Sequence, residues 1–185
     1  PLAEAVFVVA SCQLYSGGLF NAWDHVSKLE RVDAVIHLGD YIYEYGADGY
    51  GGDIGARLGR VPEPAHEAVT LADYRARHAQ CKRDPMLQAA HLRAAFICVW
   101  DDHETANDAW AHGAENHQPD TEGSWSDRKA AAMQAYFEWM PIRDPAPNDP
   151  WEAMNRHFAF GDLATLTMVE SRLLVRNEAA GFKGE

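Results

Sequence analysis

The sequence predicts an α/β fold, and three apolar runs carry that prediction. Residues 5–10, 34–38 and 95–100 are short, apolar and rich in side chains that suit strands. Each run ends on residues that carry chemistry: Ser11-Cys12-Gln13, Gly39-Asp40-Tyr41-Ile42-Tyr43-Glu44 and Asp101-Asp102-His103-Glu104. Helix-like stretches lie between the runs, which is the order of an α/β sheet. Ligands of open α/β sheets bind beyond the carboxyl ends of the strands, so the three ends point to one site.

The remaining elements follow in order. A helix over residues 19–31 is predicted between the first two strands, with Trp23, Val26 and Leu29 near helical spacing. A long loop, 41–69, carries many glycines plus Pro62 and Pro64. A loop of that length reads as a lid over the site or as a mobile surface insertion, with 45–69 as the inserted part. Thr70, with Asp73 three residues on, reads as a capping box that opens a helix to about residue 83. Asp84-Pro85 opens a short helix with proline at its first position. After the third strand, Ser124 or Ser126 caps a helix to residue 140, which Pro141 and the stretch 144–150 break. The runs 157–160 and 163–169, parted by Gly161-Asp162, read as a hairpin.

With 47% hydrophobic residues among 185, the chain has enough apolar surface for a core, and its length suits one domain. A net charge of −12 without a basic stripe argues against nonspecific nucleic-acid binding. An anionic substrate stays open, because bound cations reverse a local field. No run reaches the ~18 apolar residues of a membrane span. The chain opens almost directly on its first strand, without a signal peptide. Cys12, Cys81 and Cys98 form neither an even set nor a close-spaced metal motif; Cys98 reads as core and Cys81 as structural.

The strand ends have specific chemistry. A carboxylate at Asp40 and a potential phenolate at Tyr43 suit a hard, highly charged metal ion. The same segment also reads as a strand ending in a solvated aspartate with two core tyrosines. Asp101-Asp102-His103-Glu104 would be costly to bury without partners, and adjacent aspartates repel unless a cation lies between them. The other reading there is a polar loop capping the next helix. Cys12 is either a ligand or a small buried hydrophobe. Further candidates are Asp101, as a metal ligand or the residue that orients His103, Asn107, a neutral oxygen on the same loop, and Arg128, which could reach an anion from its helix. Arg75 and Arg77 read as partners of loop carboxylates or as a solvated helix face. His25, His66, His78 and His91 read as surface histidines.

Ala10-Ser11-Cys12-Gln13, His37-Leu38-Gly39-Asp40-Tyr41-Ile42-Tyr43-Glu44, Thr70-Leu71-Ala72-Asp73-Tyr74-Arg75-Ala76-Arg77-His78, Trp100-Asp101-Asp102-His103-Glu104 and Met140-Pro141-Ile142-Arg143 together resemble the PhoD-like alkaline phosphatases, a branch of the calcineurin-like metallophosphoesterases. The resemblance spans residues 5–176. Gly39-Asp40 stands at the superfamily's Gly-Asp, and Asp102-His103-Glu104 at its Asn-His-Glu. Ser11-Cys12-Gln13 replaces the Asp-X-His of its first strand, as is usual in the PhoD branch.

The resemblance implies a sandwich of two sheets flanked by helices, and a hydrolase of small-molecule phosphoesters that uses Fe3+ and Ca2+. Cys12, Asp40 and Tyr43 look like ferric ligands. Asp40 would bridge to calcium, with Asp102 as a further ligand. His103 looks like the loop histidine that assists the leaving group or steadies the transition state. Family members are often exported to the periplasm or cell surface. The superfamily places more ligand histidines downstream, and His112, His117 and His157 do not supply that motif. The chain, 1–185, is therefore expected to be the N-terminal portion of a truncated catalytic domain. Its parent would be an active phosphatase; the alternative is a catalytically incomplete metal- or phosphate-binding fragment. An incomplete sandwich would expose an apolar sheet face, through which self-association is expected.

Overall fold

The computed structural model of the chain describes residues 3–145 and 150–180. In chain order its elements are β1 (Phe7–Ala10), α1 (Asn21–Ser27), β2 (Ala34–His37), α2 (Gly52–Leu58), α3 (Leu71–Lys82), α4 (Pro85–Arg93), β3 (Phe96–Cys98), α5 (Pro119–Glu122), α6 (Trp125–Trp139), α7 (Pro150–Met154), β4 (Arg156–Phe160) and β5 (Ala164–Met168). The mixed α/β class is the one expected. No helix among the described residues is long and apolar enough to cross a membrane.

The first three strands form a parallel sheet in the order β1-β2-β3. Register sets Val8, Val35 and Phe96 side by side, then Ala10, His37 and Cys98, and residues in register share a face. Helices α1 and α4 cover that face. The Trp23 ring lies 5.5 Å from Phe96 and 6.0 Å from His37, and His91 stacks on Phe96 at 3.7 Å. Central β2 is buried along its whole length, which is why it reads as an unbroken apolar run. From the opposite face Phe7 meets Phe160 edge to face at 4.6 Å. Phe160 belongs to the antiparallel hairpin β4-β5, which turns at Gly161-Asp162. β1 is an edge strand, and Val9 beside its end is 62% exposed.

Local chemistry sets the helix ends. Thr70 Oγ1 accepts the Asp73 N–H at 3.3 Å while Asp73 Oδ2 accepts the Thr70 N–H at 2.9 Å, a reciprocal cap worth about 1 kcal/mol. Asp84 Oδ1 accepts the Met86 and Leu87 N–H groups ahead of α4. Ser124, rather than Ser126, caps α6 through the Asp127 N–H at 3.2 Å. α1 is shorter than the predicted 19–31 and stops at Ser27; Arg93 takes the exposed carbonyls of Leu29 at 2.9 Å and Glu30 at 2.6 Å. Of the predicted break over 144–150, residues 146–149 lie outside the described residues.

Three expectations are corrected here. The stretch 41–69 is not a structureless loop. It contains α2, which packs on a 3-10 turn at Tyr15–Gly17, and polar side chains tie down its stem. Arg77 donates to the carbonyls of Pro64 and His66, each at 3.1 Å, Gln80 donates to Val61 O at 2.7 Å, and Arg60 pairs with Asp84 at 2.8 Å. Arg77 is therefore a buried clamp on carbonyls, while Arg75 pairs with Glu138 of α6. His78 is fully buried between the rings of Tyr41 and Tyr136, and His91 is half-buried against Phe96. α3 is covered by α6 on one side and by the Tyr41 loop on the other, so its histidine has no route to water; His25 and His66 are exposed as expected.

Candidate metal centre

Beyond the sheet the three strand ends are stitched together by hydrogen bonds. The Cys12 N–H donates to Gly39 O at 3.1 Å and the Gln13 N–H to Asp40 O at 2.9 Å, joining the loop after β1 to the loop after β2. Glu104, almost wholly buried, joins the loops after β2 and β3. Its Oε2 accepts the N–H groups of Asp40 at 3.0 Å and Asp101 at 2.8 Å, and its Oε1 accepts that of Tyr41 at 2.6 Å. Gly39, at φ 113°, makes the close approach feasible, since a Cβ there would stand 2.4 Å from the Asp101 nitrogen. Cys12 and Asp40 also hold left-handed backbone, at φ 60° and 54°. That conformation is uncommon outside glycine and recurs at functional sites.

Side chains converge on Asp40. Its Oδ2 accepts the Cys12 thiol at 3.3 Å and the Tyr43 hydroxyl at 3.2 Å. Its Oδ1 is buried with no hydrogen-bond partner among the described residues. Asp40, Asp102 and His103 each bring one ligand atom within 4.8 Å of the others. Burial pushes the Asp40 carboxyl up, against the pull of His103. Partial burial likewise raises the Cys12 thiol, with Asp40 adding to it against a hydrogen bond from Ser11. Burial, then Asp40 and Cys12, push the Tyr43 phenol far above its ordinary range. These groups fit a cation: it would occupy the orphaned oxygen and supply the charge that lets thiol and phenol ionise.

His103 is held from two sides. Its Nδ1 lies 2.8 Å from Glu44 Oε2, and the Tyr43 ring stacks on it at 4.2 Å. Burial pulls its pKa down, but the hydrogen bond and charge of Glu44, with Asp102 and Asp40, outweigh that and leave it raised to about 9. Glu44 is itself fully buried, and its Oε1 accepts the Asn107 N–H at 2.6 Å and Asn116 Nδ2 at 2.9 Å. Asp102 Oδ2 accepts the Asp108 N–H at 2.6 Å. An apolar cleft of about 780 Å³ opens beside Cys12 and Tyr43.

A family model described as PhoD-like phosphatase matches residues 7–184. The chain belongs to the PhoD-like phosphatase family. It is 41% identical over 171 residues to alkaline phosphatase D of Bacillus subtilis (strain 168), a match covering 91% of this chain and 28% of that protein. Its fold matches a solved structure of PhoD with a TM-score of 0.77 at 40% identity, covering 91% of this chain and 31% of that one. The PhoD-like chain therefore spans less than a third of the length of these relatives.

Within this PhoD-like chain, Cys12, Asp40, Tyr43, Asp102 and His103 come together as the strand ends predict. The other candidates are committed elsewhere. Asp101 pairs with Arg172, and Glu44 rather than Asp101 orients His103. The Asn107 side chain donates to Glu115 at 3.0 Å. Arg128, expected to reach a phosphate, is 1% exposed and fully engaged. It pairs with Glu67 and Glu122, each at 2.7 Å, and donates to the Tyr74 hydroxyl at 3.0 Å. α6 turns it into the protein because those acceptors sit behind the site. Glu44, Glu104 and Arg172 were not picked out from sequence. The first two lie inside the motif blocks, but nothing in composition distinguishes a buried clamp carboxylate from a solvated one.

Proposed function

We propose that this chain carries the metal centre of a phosphoester hydrolase that acts on small-molecule phosphoesters. The reading is supported above all by the convergence of Asp40, Asp102 and His103 within 4.8 Å, with an orphaned buried oxygen on Asp40, in a PhoD-like chain. Cys12, Asp40 and Tyr43 would hold Fe3+, and Asp40 with Asp102 would hold Ca2+. Bound there, the ions supply Lewis-acid polarisation of the phosphoryl group.

The chain's own residues do the rest. His103 has its Nδ1 committed to Glu44 and keeps Nε2 for chemistry. The Glu44 carboxylate on Nδ1 favours the protonated imidazole, which could give a proton to the leaving oxygen. Glu104 and Gly39 hold the loops that present Asp40 and Asp102. The apolar cleft beside Cys12 and Tyr43 offers room for the alcohol part of the ester.

The same reading extends to architecture. The parallel sheet and the β4-β5 hairpin would be parts of a two-sheet sandwich, and residues 1–185 the first portion of a longer catalytic unit. The stretch 45–69 would cover the site as a lid. An exposed apolar sheet face, to which the 62% exposed Val9 would contribute, would serve self-association. A second reading is a metal- or phosphate-binding unit that is catalytically incomplete. It is favoured by the ligand cluster itself, which among the described residues brings together Asp40, Asp102 and His103 but no second histidine.

Metal analysis of the purified, metal-replete chain, together with hydrolysis of chromogenic phosphate mono- and diesters, tests the proposal. Stoichiometric iron with a visible phenolate-to-iron absorption that vanishes in Tyr43→Phe is the expected result. Absence of bound iron and calcium would defeat the metal-centre reading for this chain, and bound metal without hydrolysis would favour the second reading.

A further inference from the structure

Arg172 is the cation that stands among the aspartates of the site. Its Nε bonds Asp101 Oδ1, its Nη2 lies 3.7 Å from Asp102 Oδ1, and its Nη1 lies 3.7 Å from Asp108 Oδ1. The backbone beneath it is fixed. The Arg172 N–H donates to Glu170 Oε1 at 2.8 Å, and the same buried oxygen accepts Trp100 Nε1–H at 2.7 Å. Trp100 leads directly into Asp101-Asp102, so the segment carrying Arg172 is pinned to the loop that carries the candidate ligand.

The guanidinium is not saturated. Contacts of 3.7 Å are ion pairs but not hydrogen bonds. Nη1 is shielded from solvent and makes no hydrogen bond among the described residues. A shielded N–H without an acceptor costs free energy that a ligand oxygen would return. The unpaired Nη1 stands beside Asp108, and its neighbour Nη2 beside Asp102, a member of the ligand cluster. Guanidinium forks match the oxygen spacing of phosphate, which a point-charge ammonium does not.

We propose that Arg172 holds the phosphoryl group of the substrate, with phosphate oxygens taking Nη1 and Nη2 while Nε stays on Asp101. This assignment rests on the phosphoester hydrolase reading above. Asp101 then serves as a positioning residue for Arg172 rather than as a metal ligand. The competing assignment is a counter-ion that only neutralises Asp101, Asp102 and Asp108.

Calorimetric binding of inorganic phosphate to the metal-replete protein separates the two. Wild type, Arg172→Gln and Arg172→Lys are compared, with metal content and ester hydrolysis measured on the same samples. The phosphate Kd is expected to rise roughly tenfold or more in Arg172→Gln and by less in Arg172→Lys, with metal content unchanged and KM following Kd. Should Arg172→Gln fail to fold, Arg172→Lys keeps the charge and still reports loss of the fork. Unchanged phosphate affinity in a variant, beside a wild type that hydrolyses esters, overturns the role of Arg172 and leaves the hydrolase reading intact. Loss of metal with unchanged phosphate affinity per loaded protein makes Arg172 a counter-ion. A wild type that neither binds phosphate nor hydrolyses esters overturns both.

Discussion

Glu104 Oε2 accepts the backbone N–H of Asp40 at 3.0 Å, across 64 positions of sequence. The same carboxylate takes the N–H groups of Asp101 and Tyr41, so one buried side chain sets the spacing between the loops after β2 and β3. Glu104→Ala would strand all three donors without water. The expected loss is at least about 3 kcal/mol of unfolding free energy, read from urea midpoints. Glu104→Gln keeps one acceptor oxygen and should lose less. A Glu104→Ala variant within about 1 kcal/mol of wild type would show that the clamp is dispensable.

Gly39 meets the Asp101 backbone where a Cβ has no room, whereas Gly59 has a positive φ of 66° and open space around it. Gly59→Ala should therefore cost about 1 kcal/mol for backbone conformation alone. Gly39→Ala must also push the two loops apart and should cost about 3 kcal/mol or more, with loss of metal binding. Thermal unfolding and metal content of the two variants check the contrast; equal effects would contradict it.

His78 gives the fold a pH dependence of known sign. Burial, with Lys82 nearby, lowers its pKa from an ordinary 6.5 to about 3. The unfolded chain takes up this proton at a pH where the folded chain does not. Its contribution is therefore complete above about pH 6.5 and is lost as pH falls toward the folded value. One such group removes up to about 2 kcal/mol between pH 6.5 and pH 5. Neither ring nitrogen has a hydrogen-bond partner among the described residues, and the nearest rings are Tyr41 at 6.4 Å and Tyr136 at 6.2 Å. His78→Phe should hold its stability at pH 7 and lose less than wild type at pH 5. Identical pH slopes in urea titrations would rule this out.

Arg128 offers the complementary case of a buried cation that serves structure. Arg128→Ala leaves Glu67 and Glu122 facing each other near the Tyr74 hydroxyl, and should destabilise by about 3 kcal/mol. Phosphate affinity of the protein that remains folded should not change. A specific loss of phosphate affinity at full stability would return Arg128 to the site.

Much of the scaffold was legible because its signals are local. A capping box, an Asp-Pro helix start and a Gly-Asp turn each need only a few neighbouring residues, and Thr70, Asp84 and Gly161 behave accordingly. Cys12, Asp40, Tyr43, Asp102 and His103 were legible because strand ends gather at one edge of a parallel sheet. What escaped was long-range or atypical. α2 sits among Gly51, Gly52, Gly55 and Gly59 and lacks the apolar periodicity that marks a helix. Arg172 reaches Asp101 from 71 positions away, and Arg128 reaches Glu67 from 61. Burial of His78 depends on α6, which only folding brings over it.

The left-handed backbone at Cys12 and Asp40 has a practical consequence for redesign. Main-chain bonds from Cys12 to Gly39 and from Gln13 to Asp40, with the Glu104 carboxylate on the Asp40 N–H, support those φ angles. The loops thus have supports that do not run through the proposed ligand atoms. Asparagine tolerates the left-handed region better than alanine, so Asp40→Asn would change the donor while sparing those supports. In the proposed centre, exchanging thiol, phenol or carboxylate at positions 12, 40 and 43 would then retune which ion is held while leaving the main-chain supports of the loops in place.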